Sequence, residues 1–520
     1  MPAVPYNPTR ARDARPVSSG SSLFAAALKA TATMGLLSML PLALAATTGT
    51  NPTLKSCLNN VFASNKGAVS YPTDLFYQLT AVKPYNTDIK VTPAAVTRPT
   101  TTDEVSRVVQ CAAAAGLKVQ PRSGGHSYGN YCIGGEDGAV VVDLVNFQKF
   151  SMDTNTWFAT FGSGTLLGDL TDRLFKNGGR AIAHGTCPQV GSGGHLTIGG
   201  LGPLSRQYGA ALDHVEEVEV VLANGTITRA SNTQNTDLFF AMKGAAASFG
   251  IITEFVVHTE PAPADTTVFA YHIQTGKKSS FANTFAAWQD IISDPNLDRK
   301  FSTEVVITEL GMIISGTYFG TKEEYKALNF EQRLAQNATV SVTTLDNWLG
   351  TVTNWAENEA LKLIGGISGP FYSKSLNFKK DTLIPFNGIQ NLFNYLETAN
   401  KGTPAWFVIF DLEGGKINDV PTDQTAYAHR DTLFYVQTYA VGILKLSDTT
   451  KNFINGINKV IQDAMPNVNF GAYAGYVDPQ LPNAQQAYWQ SNLPRLEQVK
   501  RKYDPTDVFH NPQSVRPASS

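Results

Sequence analysis

Two glycine-rich stretches hold the side chains best suited to chemistry. The first, Arg122-Ser-Gly-Gly-His-Ser-Tyr128, sets His126 behind an arginine and two glycines, with a tyrosine two residues on. Glycines permit positive φ and close backbone approach, and successive amides can form a nest for an anion. With the charge of Arg122 beside it, phosphate is the natural guest; an ordinary turn between strands has the same composition. The spacing is not G-x-G-x-x-G and no Walker lysine follows, so Rossmann and P-loop readings fail. The second stretch, Gly185-Thr-Cys-Pro-Gln-Val-Gly-Ser-Gly-Gly-His195, runs on to Gly199-Gly200-Leu-Gly202. Its one cysteine, Cys187, reads either as a buried thiol or as a nucleophile. No Cys-x-x-Cys motif, clustered histidines or Gly-x-Ser-x-Gly elbow points to zinc or a serine hydrolase.

These loops need strands and helices to hold them. Residues 93–121 read as one β-α-β unit. Ala94 to Arg98 is a short strand, and Thr101-Thr-Asp-Glu104 is a capping box. Val105, Val108, Val109 and Ala112 then follow at helical spacing, until Gly116. Leu117 to Gln120 leads straight into Arg122, and Ala139 to Leu144 is a buried strand. Further strands are Trp157 to Gly162 and Gly250 to Val257, with helices at Leu166 to Asn177 and Leu238 to Met242. Val215 to Leu222 turns at Asn224-Gly225 into Thr226 to Arg229, a hairpin. From about Val268 to Phe470 the texture changes. Strands Glu304 to Ile307, Gly311 to Tyr318 and Trp406 to Leu412 alternate with helices Tyr325 to Leu334 and Thr450 to Asp463, a second, α+β domain. The tail, Gly471 to Gln513, is rich in Tyr, Asp, Asn and Pro.

The chain has 520 residues, 42% hydrophobic and 16% charged, which predicts more than one domain. A net charge of −2 without a basic stripe argues against a nucleic-acid partner. Met34 to Leu44 is an apolar run preceded by Arg10, Arg12, Arg15 and Lys29 and followed by Ala43-Leu44-Ala45. Residues 1–45 therefore read as a secretory signal, with a membrane anchor as the alternative. No later segment has 18 uninterrupted apolar residues, so a secreted protein with no membrane contact after signal removal is expected. Export makes a disulfide reasonable, and Cys57 with Cys111 would tie the mature N-terminus to the first domain. Asn224 and Asn337 open glycosylation sequons.

The two loops together resemble the flavin-attachment segments of the berberine-bridge-enzyme-like oxidases, which have the vanillyl-alcohol-oxidase, PCMH-type FAD fold; within that family they look most like the glucooligosaccharide and chitooligosaccharide oxidases. The resemblance runs from about residue 65 to 515, and Tyr473-Ala-Gly-Tyr-Val-Asp478 and Tyr503-Asp-Pro-Thr-Asp-Val-Phe-His-Asn-Pro512 look like its closing motifs. It implies an α+β protein in three parts. A PCMH-type FAD-binding domain of two α/β subdomains spans 46–265. A substrate domain, an antiparallel sheet covered by helices, spans 266–470, and a C-terminal segment, 471–520, returns to the FAD domain.

It also implies a doubly tethered FAD, bonded at its 8α carbon to His126 and at C6 to Cys187. Amides from Ser123, Gly124, Gly125 and Ser127, and from Gly191, Gly193 and Gly194 beside His195, would hold the pyrophosphate and ring, with Ile252 on the adenine side. A small Val190 goes with oxygen reaching the flavin, hence an oxidase releasing H2O2; the alternative is a dehydrogenase using another acceptor. The base would be Tyr473, with Tyr476 in reserve, helped by Asp411 and faced by Tyr128. Gly475 replaces the family's usual Asn.

Sugar oxidases of this type carry polar and tryptophan side chains on the strand leading to the helper aspartate; here they are Phe407 and Ile409. Glu304, Gln437 and Tyr439 either face the pocket or form plain sheet surface. The implied reaction oxidises the anomeric carbon of an oligosaccharide to a lactone, with O2 as second substrate and the enzyme monomeric. An apolar pocket would suit an aromatic or secondary-metabolite alcohol instead, and a flavoprotein kept for binding alone is the non-catalytic alternative.

Overall fold

Asn51 starts helix α1 (Pro52–Val61) by accepting hydrogen bonds from the amides of Thr53 and Leu54. Strands β1 (Val69–Ser70) and β2 (Ala95–Thr97) follow, then helix α2 (Thr102–Ala114), β3 (Val119–Arg122) and β4 (Val140–Asp143). A computed structural model describes residues 51–273, 277–334, 338–345, 347–358, 368–442 and 444–519; the apolar N-terminal run and the Asn337 sequon lie outside them. Thr101 caps α2 as its sequence predicts, but the Glu104 carboxylate reaches back to the amide of Thr100 rather than of Thr101. Gly116, at φ +69°, ends the helix. The Cys57–Cys111 disulfide joins α1 to α2. The sheet order is β1-β2-β4-β3, and β2 and β3 both run parallel to β4. β3 thus delivers the first glycine loop at its carboxyl end, where parallel sheets place ligands.

A second sheet is antiparallel. It contains β5 (Phe150–Asp153), β6 (Phe158–Gly162), β7 (Val215–Val221), β8 (Ile227–Ser231) and β9 (Ile251–His258), in the order β5-β6-β9-β7-β8. The predicted hairpin is β7–β8, turning at Asn224 and Gly225 (φ +84°). Helices α3 (Leu167–Lys176) and α4 (Thr236–Ala245) pack against this sheet through Leu170, Leu174, Leu238 and Phe239. The second glycine loop lies between α3 and β7.

The third sheet has seven strands: β10 (Thr266–Ile273), β11 (Phe301–Thr308), β12 (Gly311–Tyr318), β13 (Thr339–Leu345), β14 (Phe371–Lys379), β15 (Trp406–Leu412) and β16 (Thr432–Val441). The order is β13-β10-β12-β11-β15-β16-β14, antiparallel throughout. Strand period sorts β15 cleanly. Trp406, Val408 and Phe410 join the core made with helices α5 (Ala282–Ile292), α6 (Phe386–Thr398) and α7 (Asp448–Ala464). Phe407, Ile409 and Asp411 therefore point to the other face. The predicted helix Tyr325 to Leu334 is two pieces, Lys322–Ala327 and Phe330–Leu334, broken where Asn329 takes φ +51°.

The tail comes back to the second sheet. Tyr488, Trp489, Leu496 and Val499, the last two on helix α8 (Leu493–Tyr503), share the core of α3 and α4. No helix among the described residues is long and apolar enough to cross a membrane.

Candidate active site

The two glycine loops meet backbone to backbone. A Cβ on Gly124 would lie 2.7 Å from the Gln189 carbonyl, and one on Gly191 would lie 2.7 Å from the Ser123 Cβ. Only glycine allows this approach. Ser123 Oγ donates to the Ser163 carbonyl at 2.7 Å, Gly193 N donates to the same oxygen at 3.1 Å, and Ser192 N donates to Thr165 at 2.9 Å. The turn Gly162-Ser-Gly-Thr165 after β6 is therefore a third wall, which the sequence reading missed although its glycines and hydroxyls at a strand end were visible.

Arg122 does not supply charge to this junction. It is 5% exposed, and its guanidinium donates to the carbonyls of Ala81 and Val82 and to Asp143 Oδ2 at 2.6 Å. The expected phosphate contact is thus replaced by a buried ion pair that anchors the loop's base. Ser127 Oγ accepts from the Tyr131 amide and shapes the loop exit. His195 Nε2 accepts from the Gly185 amide at 2.9 Å, bracing the second loop across its ends; burial holds its pKa down to about 3, so it is a neutral acceptor. Ile252 lies in the core of the second sheet at 5% exposure, and Val190 packs at the edge of that core.

His126 sits against Tyr85, ring centroids 5.0 Å apart, and burial lowers its pKa to about 4. Its imidazole is therefore neutral near pH 7, the form that can act as a nucleophile. Tyr85 stacks on Tyr128 at 5.8 Å, and Tyr128 meets Phe371 at 4.5 Å. Burial first raises the pKa values of Tyr85, Tyr128 and Tyr439, and Cys187 adds a smaller contribution to each, which places its sulfur near this cluster. Tyr128 itself is pushed up to about 12, mainly by burial and against the hydrogen bond from Gln437 Nε2 to its hydroxyl at 3.3 Å. Tyr85 and its neighbour Asn86, which donates to the carbonyls of Tyr128 and Phe371, belong to the candidate site and were missed in the sequence; Pro84-Tyr-Asn86 has no spacing that marks it.

The tyrosine paired with the aspartate is Tyr476. Its hydroxyl donates to Asp411 Oδ2 at 3.1 Å. The Tyr473 hydroxyl instead accepts from the Gly200 amide at 3.0 Å, its ring is packed against Tyr435 and Tyr476, and it is 4% exposed. The expected Tyr473–Asp411 pairing is thus exchanged for Tyr476–Asp411. Gly475 explains how both rings fit, because a side chain there would strike the Tyr473 ring.

Asp411 on β15 lies directly opposite Glu304 on β11. Burial first, then the adjoining Glu304 carboxyl, raise the Asp411 pKa well above the ordinary carboxylate range, against the hydrogen bond from Tyr476. Ser315 Oγ donates to Glu304 Oε1 at 3.1 Å. Ile409 and Phe407 continue along the same face, with Gln437 and Tyr439 as their partners on β16.

FAD fits this arrangement. Where the two loops meet the Ser163–Thr165 turn, the hydroxyls of Ser163, Thr165 and Ser192 are buried and have no hydrogen-bond partner among the described residues, a donor set that suits a pyrophosphate. His126 and Cys187 border the aromatic cluster beside Asp411 and Tyr476.

Comparison with known proteins agrees. Residues 93–231 match the family described as "FAD binding domain" and residues 472–516 that described as "Berberine and berberine like". The chain is 40% identical over 472 residues to the "FAD-linked oxidoreductase sorD" of Penicillium rubens, covering 89% of this chain and 98% of that protein. The solved xylooligosaccharide oxidase of Myceliophthora thermophila, in complex with xylobiose, superposes with TM-score 0.82 at 32% identity, over 90% of this chain and 100% of that one. The glucooligosaccharide oxidase of Acremonium strictum, whose FAD is described as 6-S-cysteinyl, 8α-N1-histidyl, superposes with TM-score 0.81 at 29% identity, over 90% and 100%.

Proposed function

The chain belongs to the berberine-bridge-enzyme-like FAD-linked oxidoreductases, and from that premise we propose that it oxidises a hydroxyl-bearing carbon with Tyr476 as base and a flavin tethered through both His126 and Cys187. The observation that carries the assignment is the 3.1 Å hydrogen bond from Tyr476 to Asp411. Held by the two glycine loops and by His126 and Cys187, FAD would supply the hydride acceptor and the route for electrons to O2, with H2O2 as the product. The protein's part is proton transfer and orientation. A buried phenol is a weak base alone, since burial raises the Tyr476 pKa well above 10. Its hydroxyl gains base strength by passing its own proton to Asp411 while taking the substrate's. The raised proton affinity of Asp411 suits that task better than an ordinary carboxylate would. Tyr128, held by Gln437, lines the same space.

A neutral His126 suits attachment at 8α, and a valine at position 190 supports oxygen access and an oxidase. The FAD-binding part is read as 46–265 closed by 471–520, with 266–470 as the substrate part. Were the substrate a sugar oxidised at its anomeric carbon, as the saccharide-oxidising relatives suggest, the product would be a lactone.

Acid denaturation tests the tethers. The single variants His126→Ala and Cys187→Ala each keep yellow flavin in the precipitate, and the double variant releases it. Colour retained by the double variant overturns the attachment. A wild-type enzyme that consumes an alcohol without releasing H2O2 overturns the oxidase assignment.

A further inference from the structure

We infer that Tyr85 is the positioning residue for the histidyl tether: its ring holds the His126 imidazole still, so that a ring nitrogen meets the 8α carbon of FAD. The inference rests on the attachment proposed above and adds the part of the protein that builds it. Tethering replaces a hydrogen on the 8α carbon by an imidazole nitrogen. One C–H and one N–H bond break, one C–N bond forms, and two electrons and two protons leave with O2 as H2O2. The nitrogen must be both free and aligned, since a misplacement of about 1 Å can cost about 10²-fold in rate.

A working histidine is commonly aligned by a hydrogen bond on its second nitrogen. Among the described residues, the His126 ring makes no hydrogen bond. Gly124 and Gly125, which precede it, carry no side chain to brace it, and Gly125 turns the loop at φ +77°. What the imidazole meets is the Tyr85 ring, with centroids 5.0 Å apart and planes 35° from parallel.

Tyr85 is itself fixed as a platform. It is 7% exposed, stacks on Tyr128 at 5.8 Å and 18°, and meets Phe371 edge-on at 6.3 Å and 71°. Its carbonyl accepts from the Gly369 amide at 3.1 Å. The next residue, Asn86, is buried; its amide donates to Asn130 Oδ1 at 3.0 Å and its carbonyl accepts from Asn130 Nδ2 at 2.8 Å. Asn86 Nδ2 donates to the carbonyls of Tyr128 and Phe371, both at 2.9 Å. Tyr128 and Asn130 lie at the exit of the loop that carries His126, so one clamp fixes the platform and the imidazole relative to each other. Cys187 is seated separately. The Val190 amide donates to its carbonyl at 3.2 Å, and the Leu167 and Gly168 amides hold Val190 and Pro188.

The test follows tether formation in the Cys187→Ala protein, where His126 alone holds flavin. Tyr85→Phe keeps the flat ring; Tyr85→Met fills a similar space without one. Each protein is acid-precipitated as purified and after timed aerobic incubation with excess FAD, and flavin is counted in pellet and supernatant. Tyr85→Phe should tether as its parent does. Tyr85→Met should bind flavin but tether it at least about tenfold more slowly, so that acid releases most of it. Asn86→Ala keeps the ring but loosens its seat, and should slow tethering at least about threefold. In a His126→Ala background, Tyr85→Met should leave tethering through Cys187 at the parental rate. Parental tethering to His126 in a flavin-binding Tyr85→Met protein overturns the inference and leaves the histidyl tether standing. If that variant binds no flavin, Asn86→Ala decides by the same criterion. Equal slowing of the cysteinyl tether also overturns the inference, because Tyr85 would then seat the whole flavin. A Cys187→Ala protein that sheds all its flavin in acid overturns the histidyl tether and the inference with it.

Discussion

Tyr473 and Tyr476 lie three residues apart and pack edge to face at 5.1 Å, yet their hydroxyls face different partners. From sequence Tyr473 reads as the base and Tyr476 as the reserve, but the choice between them is made by groups far away in the chain, the Gly200 amide for one and Asp411 for the other. Tyr476→Phe should therefore slow anaerobic flavin bleaching by about 10²-fold or more, while Tyr473→Phe keeps a rate within about tenfold of wild type. The reverse order in stopped-flow measurements would return the base to Tyr473. Asp411 supplies a pH signature. Its pKa is raised by burial and by Glu304, so the carboxyl holds its proton to higher pH than an ordinary carboxylate does. Only the ionised form can accept a proton from Tyr476, so the bleaching rate should climb as pH rises through a pKa above the usual carboxylate range. Asp411→Asn should remove that rise and lower the plateau about 10²-fold or more. Stability moves the other way. An acid whose pKa is raised on folding favours the folded state below its unfolded pKa and loses that contribution as pH climbs to the folded pKa. Asp411→Asn should thus melt no lower than wild type at neutral pH, and a lower melting temperature would show that the ionised carboxylate is a structural partner.

At the scale of elements, legibility followed locality. The α2 cap, the β7–β8 hairpin and β15 were readable because each is fixed by neighbours in sequence: a capping threonine, an Asn-Gly turn, a run of aromatic and β-branched residues from Trp406 to Phe410. Arg122 misled for the opposite reason. Beside two glycines an arginine reads as a phosphate ligand, but the carbonyls of Ala81 and Val82 and the carboxylate of Asp143 claim it, and none of these is marked locally. Both glycine loops were recognised singly, but their contact was not. Gly191→Ala would drive a methyl into the Ser123 side chain and the Gly124 backbone, whereas a Cβ on Gly194 meets nothing within 4 Å. Gly191→Ala should cost about 1–3 kcal/mol and lower bound flavin per protein, read from absorbance and the melting temperature. Gly194→Ala should melt like wild type. Equal melting of the two would mean that the loops yield without strain.

Over the whole molecule, the site is assembled from parts that sequence keeps far apart, and two devices hold the ends. At the N-terminal end, the Cys57–Cys111 disulfide closes a loop of sequence separation 54. By chain entropy its removal in a Cys57→Ser/Cys111→Ser variant should cost about 4 kcal/mol, visible as a lower melting temperature that added reductant does not change further. At the other end, Lys500 is fully buried on α8 and donates to the Ser248 and Phe509 carbonyls and to Asp504 Oδ2, with Asp507 also 3.0 Å away. This cluster ties the tail to the turn before β9, and that tail also carries Tyr473 and Tyr476. Lys500→Met removes the cation and leaves the Asp504 carboxylate buried without its charge partner, although the Val508 and Phe509 amides still donate to it. Breaking one side of a buried pair costs about 3–5 kcal/mol. Limited proteolysis should then cut within α8 well before the rest of the chain, and flavin bleaching should slow as Tyr476 loses its fixed position. A Lys500→Met protein that resists protease and bleaches normally would show that the apolar contacts of Trp489, Leu496 and Val499 seat the tail by themselves.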